Sequence, residues 1–255
     1  MVAMTYAQNI LTLKVAENEF TSNKQFLQTT GDQIDDVAWS IGRTQTISYS
    51  SRYGNVQFKD VALNYTFSIS SNDGNDWEDL SFDGTTGIIM FNMPVRSYSI
   101  GNGYFERIPS TANSSFLLSD SSSPISQVIC EEKLPMNDGS FSRIVLVPTM
   151  RMLTSSIVNS QSQTTNYFKF YLPSLDNGTN RYLSQSITLT GDGISKITRS
   201  GVDQIRINVT FPQSDSLGLD SSFFQFQSDS VSLTLPQDSV VEFYTGKVVV
   251  AIGQV

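Results

Sequence analysis

The sequence contains no histidine and a single cysteine, and these two shortages remove most side-chain chemistry. Without histidine there is no Ser-His-Asp or Cys-His nucleophile and no His-ligated zinc. The one thiol, Cys130 in "SQVICEEKL", cannot close an intrachain disulfide. A reactive thiolate would want a basic neighbour, where Glu131 and Glu132 stand instead, so Cys130 reads as a small packed apolar residue. Charge is sparse as well. With 16 Lys and Arg against 24 Asp and Glu, the net charge is -8, which leaves no basic footprint for nucleic acid or anionic lipid. No run reaches the roughly 20 apolar residues that cross a bilayer, and no basic segment precedes an apolar one as in a secretory leader. The first proline is Pro94, so nothing interrupts a helix before it.

The 255 residues suffice for a real core in one domain or two modest ones. From Thr5 to Gly42 the pattern is helical. Tyr6, Leu13, Phe20, Leu27, Ile34 and Ile41 recur every seven residues on one slowly winding stripe. An unbroken helix here is on the order of 55 Å long, with Gly31 in "TTGD" as the point where it can kink or stop. A coiled coil needs a second apolar position per heptad. The line Ile10, Glu17, Lys24, Gly31, Ala38 does not supply it, nor does Asn9, Ala16, Asn23, Thr30, Val37. Such a helix cannot stand alone against its own ordering entropy. Its lower part, with Ile34, Val37, Trp39 and Ile41, is expected to pack on the body of the same chain. Its upper part, with Tyr6, Ile10, Leu13, Phe20 and Leu27, is expected to meet something else. The opening "MVAM" is apolar and uncapped and reads as the end of a longer helix.

After Arg43 the period changes from seven to two. Runs such as "LNYTFSI", "TGIIMF", "YFKFYL", "SITLTG", "IRINVTF" and "VVEFYTGKVVVAIG" alternate or are wholly apolar, and "RIVLV" reads as a strand buried on both faces. Turn signals such as "SNDGND", "NDGS", "DNGTN" and "TGDG" separate them. "SSFLLSDSSSPIS" and "SSIVNSQSQTTN" read as exposed loops. The expected architecture is α+β and mainly β: a helix over residues 1–42 packed on an antiparallel β-sandwich or a large twisted sheet over 43–255, with room for a division into two lobes near 155–166.

The candidates for chemistry are few. "SNDGNDWEDLSFDG" gathers Asp73, Asp76 and Asp79, a weak calcium loop, because Trp77 sits where an EF-hand frame needs a ligand. Carboxylate pairs such as Glu78 with Asp79, or Glu131 with Glu132, can in principle serve a glycosidase. Adjacent strand residues point to opposite faces, so neither pair converges. No catalytic residue and no cofactor are therefore expected. Asn64, Asn113, Asn177 and Asn208 are glycosylation sequons in a number that chance alone produces.

The segment "TYAQNILTLKVAENEFTSNKQFLQTTGDQIDDVAWSIGRTQTI", the strand-rich body and the closing "SVVEFYTGKVVVAIG" together resemble the mature part of archaeal type IV pilin-like surface proteins. The resemblance implies a cell-surface protein, held in the membrane by an apolar half-helix ahead of Met1 until assembly. Its partners would then be copies of itself or related subunits, with the β body facing outward. The expected function is a non-enzymatic structural or adhesive subunit of a surface filament or pilus-like assembly. A second reading is a carbohydrate- or ligand-binding β module on a helical stalk, with Tyr98, Tyr104 and Phe105 stacking on sugar rings. A third is a trimeric fibre with the helix as its neck.

Overall fold

The computed structural model describes residues 2–71, 74, 76–110, 114–119, 125–158 and 164–253, with side chains from residue 8 onward. A single helix, α1 (Val2–Ala38), precedes twelve strands among the described residues: β1 (Thr44–Ser48), β2 (Asn55–Ser70), β3 (Trp77–Asp79), β4 (Thr85–Pro94), β5 (Tyr104–Ile108), β6 (Leu117–Leu118), β7 (Ser126–Glu132), β8 (Phe141–Pro148), β9 (Met150–Val158), β10 (Thr164–Asn177), β11 (Ser186–Thr210) and β12 (Ser230–Ile252). The short helices α2 (Ser214–Leu217) and α3 (Ser221–Phe224) lie in the link from β11 to β12.

All twelve strands belong to one sheet, ordered β5-β7-β8-β4-β2-β11-β12-β10-β9-β6, with β1 beside β11 and β3 beside β2. The protein is thus mainly β, but it is not the antiparallel sandwich among the expected alternatives. The sheet is open and mixed, because β10 runs parallel to β12 and β6 parallel to β9. The long strand β11 serves two neighbours in succession on one edge. Residues Ser186–Thr190 pair with β1 and Gln204–Thr210 pair with β2. Of the stretch 155–166, expected to separate a pair of lobes, residues 155–158 and 164–166 belong to the antiparallel β9–β10 ladder, where Ser155 pairs with Tyr167 and Val158 with Thr164, and 159–163 lie outside the described residues.

Strands β4, β7 and β8 are buried on both faces, which is why "GIIMF" and "RIVLV" are continuous apolar runs. Ile89, Phe91, Val128, Cys130, Ile144 and Leu146 face α1, and Ile88, Met90, Ile129, Val145 and Val147 face away. The far face is covered because the sheet curls back on itself. Phe67 of β2 meets Phe170 of β10 at 4.9 Å and Phe243 of β12 at 5.1 Å between ring centroids. At the seam β10 reaches β4 through side chains rather than a ladder: Ser174 Oγ donates to the Thr85 carbonyl at 2.7 Å, and Thr86 Oγ1 accepts from the Leu175 amide at 3.0 Å.

Helix α1 runs without a break through Gly31. A Cβ there would lie 3.1 Å from Leu146 Cδ1 and 3.4 Å from Ser126 Cβ, so the glycine marks the helix's close approach to β7 and β8 rather than a hinge. The lower end sits closer still. A Cβ on Gly246 would fall 2.5 Å from the Ala38 carbonyl oxygen, and one on Gly191 2.6 Å from that of Val37. The helix ends at Ala38, four residues short of the expected boundary, and the exit is pinned to β11 by Gly42 N to Gly191 O at 2.8 Å and Gly191 N to Arg43 O at 2.9 Å.

Candidate functional site

Burial divides α1 into an upper and a lower segment. From Ala16 on, a stripe of Ala16, Glu19, Phe20, Asn23, Phe26, Leu27, Thr30, Ile34, Val37 and Ala38 is buried. It follows the three-and-four spacing of one helix face. The line Ala16, Asn23, Thr30, Val37, too polar in sequence to complete a seam, is buried after all. Small side chains let the helix lie close, and the polar ones place their donors: Thr30 Oγ1 donates to Phe26 O at 2.8 Å, and Asn23 Nδ2 donates to the Glu19 and Ser50 carbonyls at 2.9 Å each. Glu19 is itself an anchor, its carboxylate accepting from the Tyr53 and Gly54 amides. Lys24 reaches the Glu106 carboxylate of β5 at 2.6 Å.

Before Ala16 the described side chains, Gln8 to Val15, are all exposed. Ile10 is 44%, Leu11 66%, Leu13 53% and Val15 37% accessible. Ile10 and Leu13 of the expected assembly face are thus solvent-exposed, while the side chain of Tyr6 lies outside the described residues. Phe20 and Leu27, expected to serve assembly, are instead covered by their own chain. Phe20 packs beside Phe91 and Tyr98, and Leu27 has no exposed surface. Of the expected helix–body contacts, Ile34 and Val37 are buried, and Trp39 sets its ring edge-on to Tyr171 at 5.4 Å. Ile41 lies past the helix end, where the stripe's period no longer applies, and is 68% exposed.

A second feature had no motif to announce it. Beside the end of β7 a cleft of about 270 Å³ is lined by Glu131, Lys133, Met136, Arg143, Asp220 and Phe223, among others. Glu131 and Arg143 are cross-strand partners on β7 and β8, 3% and 1% exposed. Arg143 is committed elsewhere, donating through Nε to Asn92 at 2.8 Å and through Nη2 to Asp138 at 2.5 Å. Asp220 is committed too, capping α3 through the Ser222 and Phe223 amides. Those bonds hold its carboxyl below the usual range, led by the Ser222 hydroxyl and opposed by burial. Glu131 Oε2 is buried without a hydrogen-bond partner. Burial, reinforced by Asp220 and opposed by Lys133 and Arg143, pushes its carboxyl up to about 7.

Its neighbour Glu132 points the other way, as alternation requires, and accepts from Ser99, Ser142 and the Ile100 amide. Burial pushes Glu132 up, but these bonds outweigh it and its carboxyl titrates below the ordinary value. The Cys130 thiol is fully buried, and that burial drives it up to about 12.

The remaining candidates are scattered. Asp73 and Asn113 lie outside the described residues. Asp79 accepts from the Ser68 hydroxyl, and among the described residues no three Asp, Glu, Cys or His side chains gather as a metal site. Asn177 is exposed at the end of β10, whereas Asn64 and Asn208 are half-buried in paired strands. Tyr98 is half-buried on Phe20, Tyr104 donates its hydroxyl to Glu106, and Phe105 packs against the core, so the three form no stacking platform. No protein-family model, no curated protein and no solved structure matches the chain.

Proposed function

We propose that the protein is a non-enzymatic structural or adhesive subunit of an archaeal, pilin-like surface filament, in which the projecting end of α1 packs among the helices of neighbouring copies. In this reading the subunit is membrane-anchored before assembly and the curled sheet faces outward. The observation that carries it is the change of burial at Ala16. Two turns bearing Ile10, Leu11, Leu13 and Val15 stand clear of the body. A helical segment that short gains little from propensity alone, and clustered exposed apolar side chains mark an interaction surface.

The DNA upstream of the Met1 codon provides the first test. A short basic leader followed by about 20 apolar residues is expected, and a natural start at Met1 with neither overturns the reading. In assembled material, a cysteine at Leu11 is expected to cross-link subunit to subunit, while a cysteine at Ser156 on the body is not. Equal cross-linking at both positions removes the special role of the helix.

A further inference from the structure

The cleft beside β7 owes nothing to the helix, and we propose that it binds a saccharide, with Glu131 accepting a hydrogen bond from a ring hydroxyl. A buried carboxylate oxygen with no partner is costly to maintain. The fold has not relieved it, although Arg143 faces it across the ladder, because Arg143 is held by Asn92 and Asp138. A donor from outside the chain would relieve it.

The lining chooses among donors. A divalent cation wants several oxygens, and here Asp220 is spent on its helix cap. An ammonium group would enter past the exposed Lys133, which repels it. A saccharide suits the mixture. Hydroxyls can donate to Glu131 and accept from Lys133 and Asn137, while Phe223 and Met136 offer apolar surface to the C–H face of a ring. The volume, about 270 Å³, lies at the small end of ligand cavities and suits one or two rings. The charged groups facing Glu131 are Lys133 at the end of its own strand, Arg143 from β8 and Asp220 from the loop before α3.

The test uses methyl glycosides of the common hexoses and N-acetylhexosamines as probes, with saturation-transfer NMR on the full chain. At least one is expected to bind with Kd of order 1 mM. Binding should weaken about tenfold in Glu131→Gln and in the rim variant Lys133→Ala, each with the circular dichroism spectrum of the parent fold. It should also weaken as Glu131 gains its proton below about pH 7. No signal from any glycoside with folded protein, or a signal indifferent to both substitutions and to pH, overturns the proposal. So does n-butylammonium displacing the glycoside and binding more tightly. None of these outcomes bears on subunit cross-linking at Leu11, so the two readings stand or fall separately.

Discussion

The Glu19 carboxylate lies 2.9 Å from the Gly54 amide and 3.0 Å from that of Tyr53, so a helix side chain organises the turn that leads into β2. Charge-assisted bonds to otherwise unpaired amides contribute about 1.5 to 3 kcal/mol. Glu19→Ala is therefore expected to lower unfolding free energy by about 2 kcal/mol in denaturant titration. Amide exchange over residues 49–54 should rise in the same variant. Unchanged exchange there would show that the turn holds itself.

The lower end of α1 rests on bare backbone. Gly246→Ala places a methyl 2.5 Å from the Ala38 carbonyl oxygen, and since both partners are backbone, the helix must lift. A loss of about 2 kcal/mol or more is expected from the resulting gaps. Gly193→Ala on the neighbouring strand meets nothing within 4 Å and should change stability by less than about 0.5 kcal/mol. Thermal melts of the pair isolate the effect of close approach from that of losing a glycine.

Glu131 ties stability to pH. Its folded-state carboxyl titrates at about 7, above the unfolded value near 4.3, so the folded chain holds this proton more tightly. The stability it contributes is complete below about pH 4 and is lost as pH rises through 7. Glu131→Gln, which cannot ionise, is expected to exceed the parent protein in stability by about 1 to 3 kcal/mol near pH 8 and to match it near pH 4. Denaturant midpoints at the two pH values check the sign, and a constant difference would place Glu131 in a more polar setting.

The class of fold was legible because periodicity changes once, near Arg43. The runs around Phe67, Ile207 and Phe243 became strands with their apolar phase inward. What escaped was long-range. The parallel partnership of β10 with β12 leaves no local trace, and neither does the sharing of β11 by β1 and β2. "SSFLLSDSSSPIS" looked like an open loop, yet Phe116 and Leu118 are buried, because two apolar residues suffice when the sheet curls over them. The seam of α1 was misjudged for a related reason: Asn23 and Thr30 are polar side chains by type, but backbone carbonyls meet their donors. The Glu131 cleft could not be read at all. Its members come from β7, the β7–β8 connection, β8 and the α2–α3 segment, and adjacent acidic residues gave no hint that Glu132 would be satisfied and Glu131 Oε2 left without a partner.

Strand β12 slots between β11 and β10 at the centre of the sheet, and Gly246, Val248 and Val250 on it help seat α1. On a ribosome α1 emerges roughly 200 residues before β12, so this part of its seat must wait for long-range pairing. Until β12 is made, the lower end of α1 around Ala38 lacks its seat on Gly246 and is open to a chaperone, a lipid surface or another nascent copy. The sheet closes at its centre only when β12 inserts between β11 and β10, both made before it.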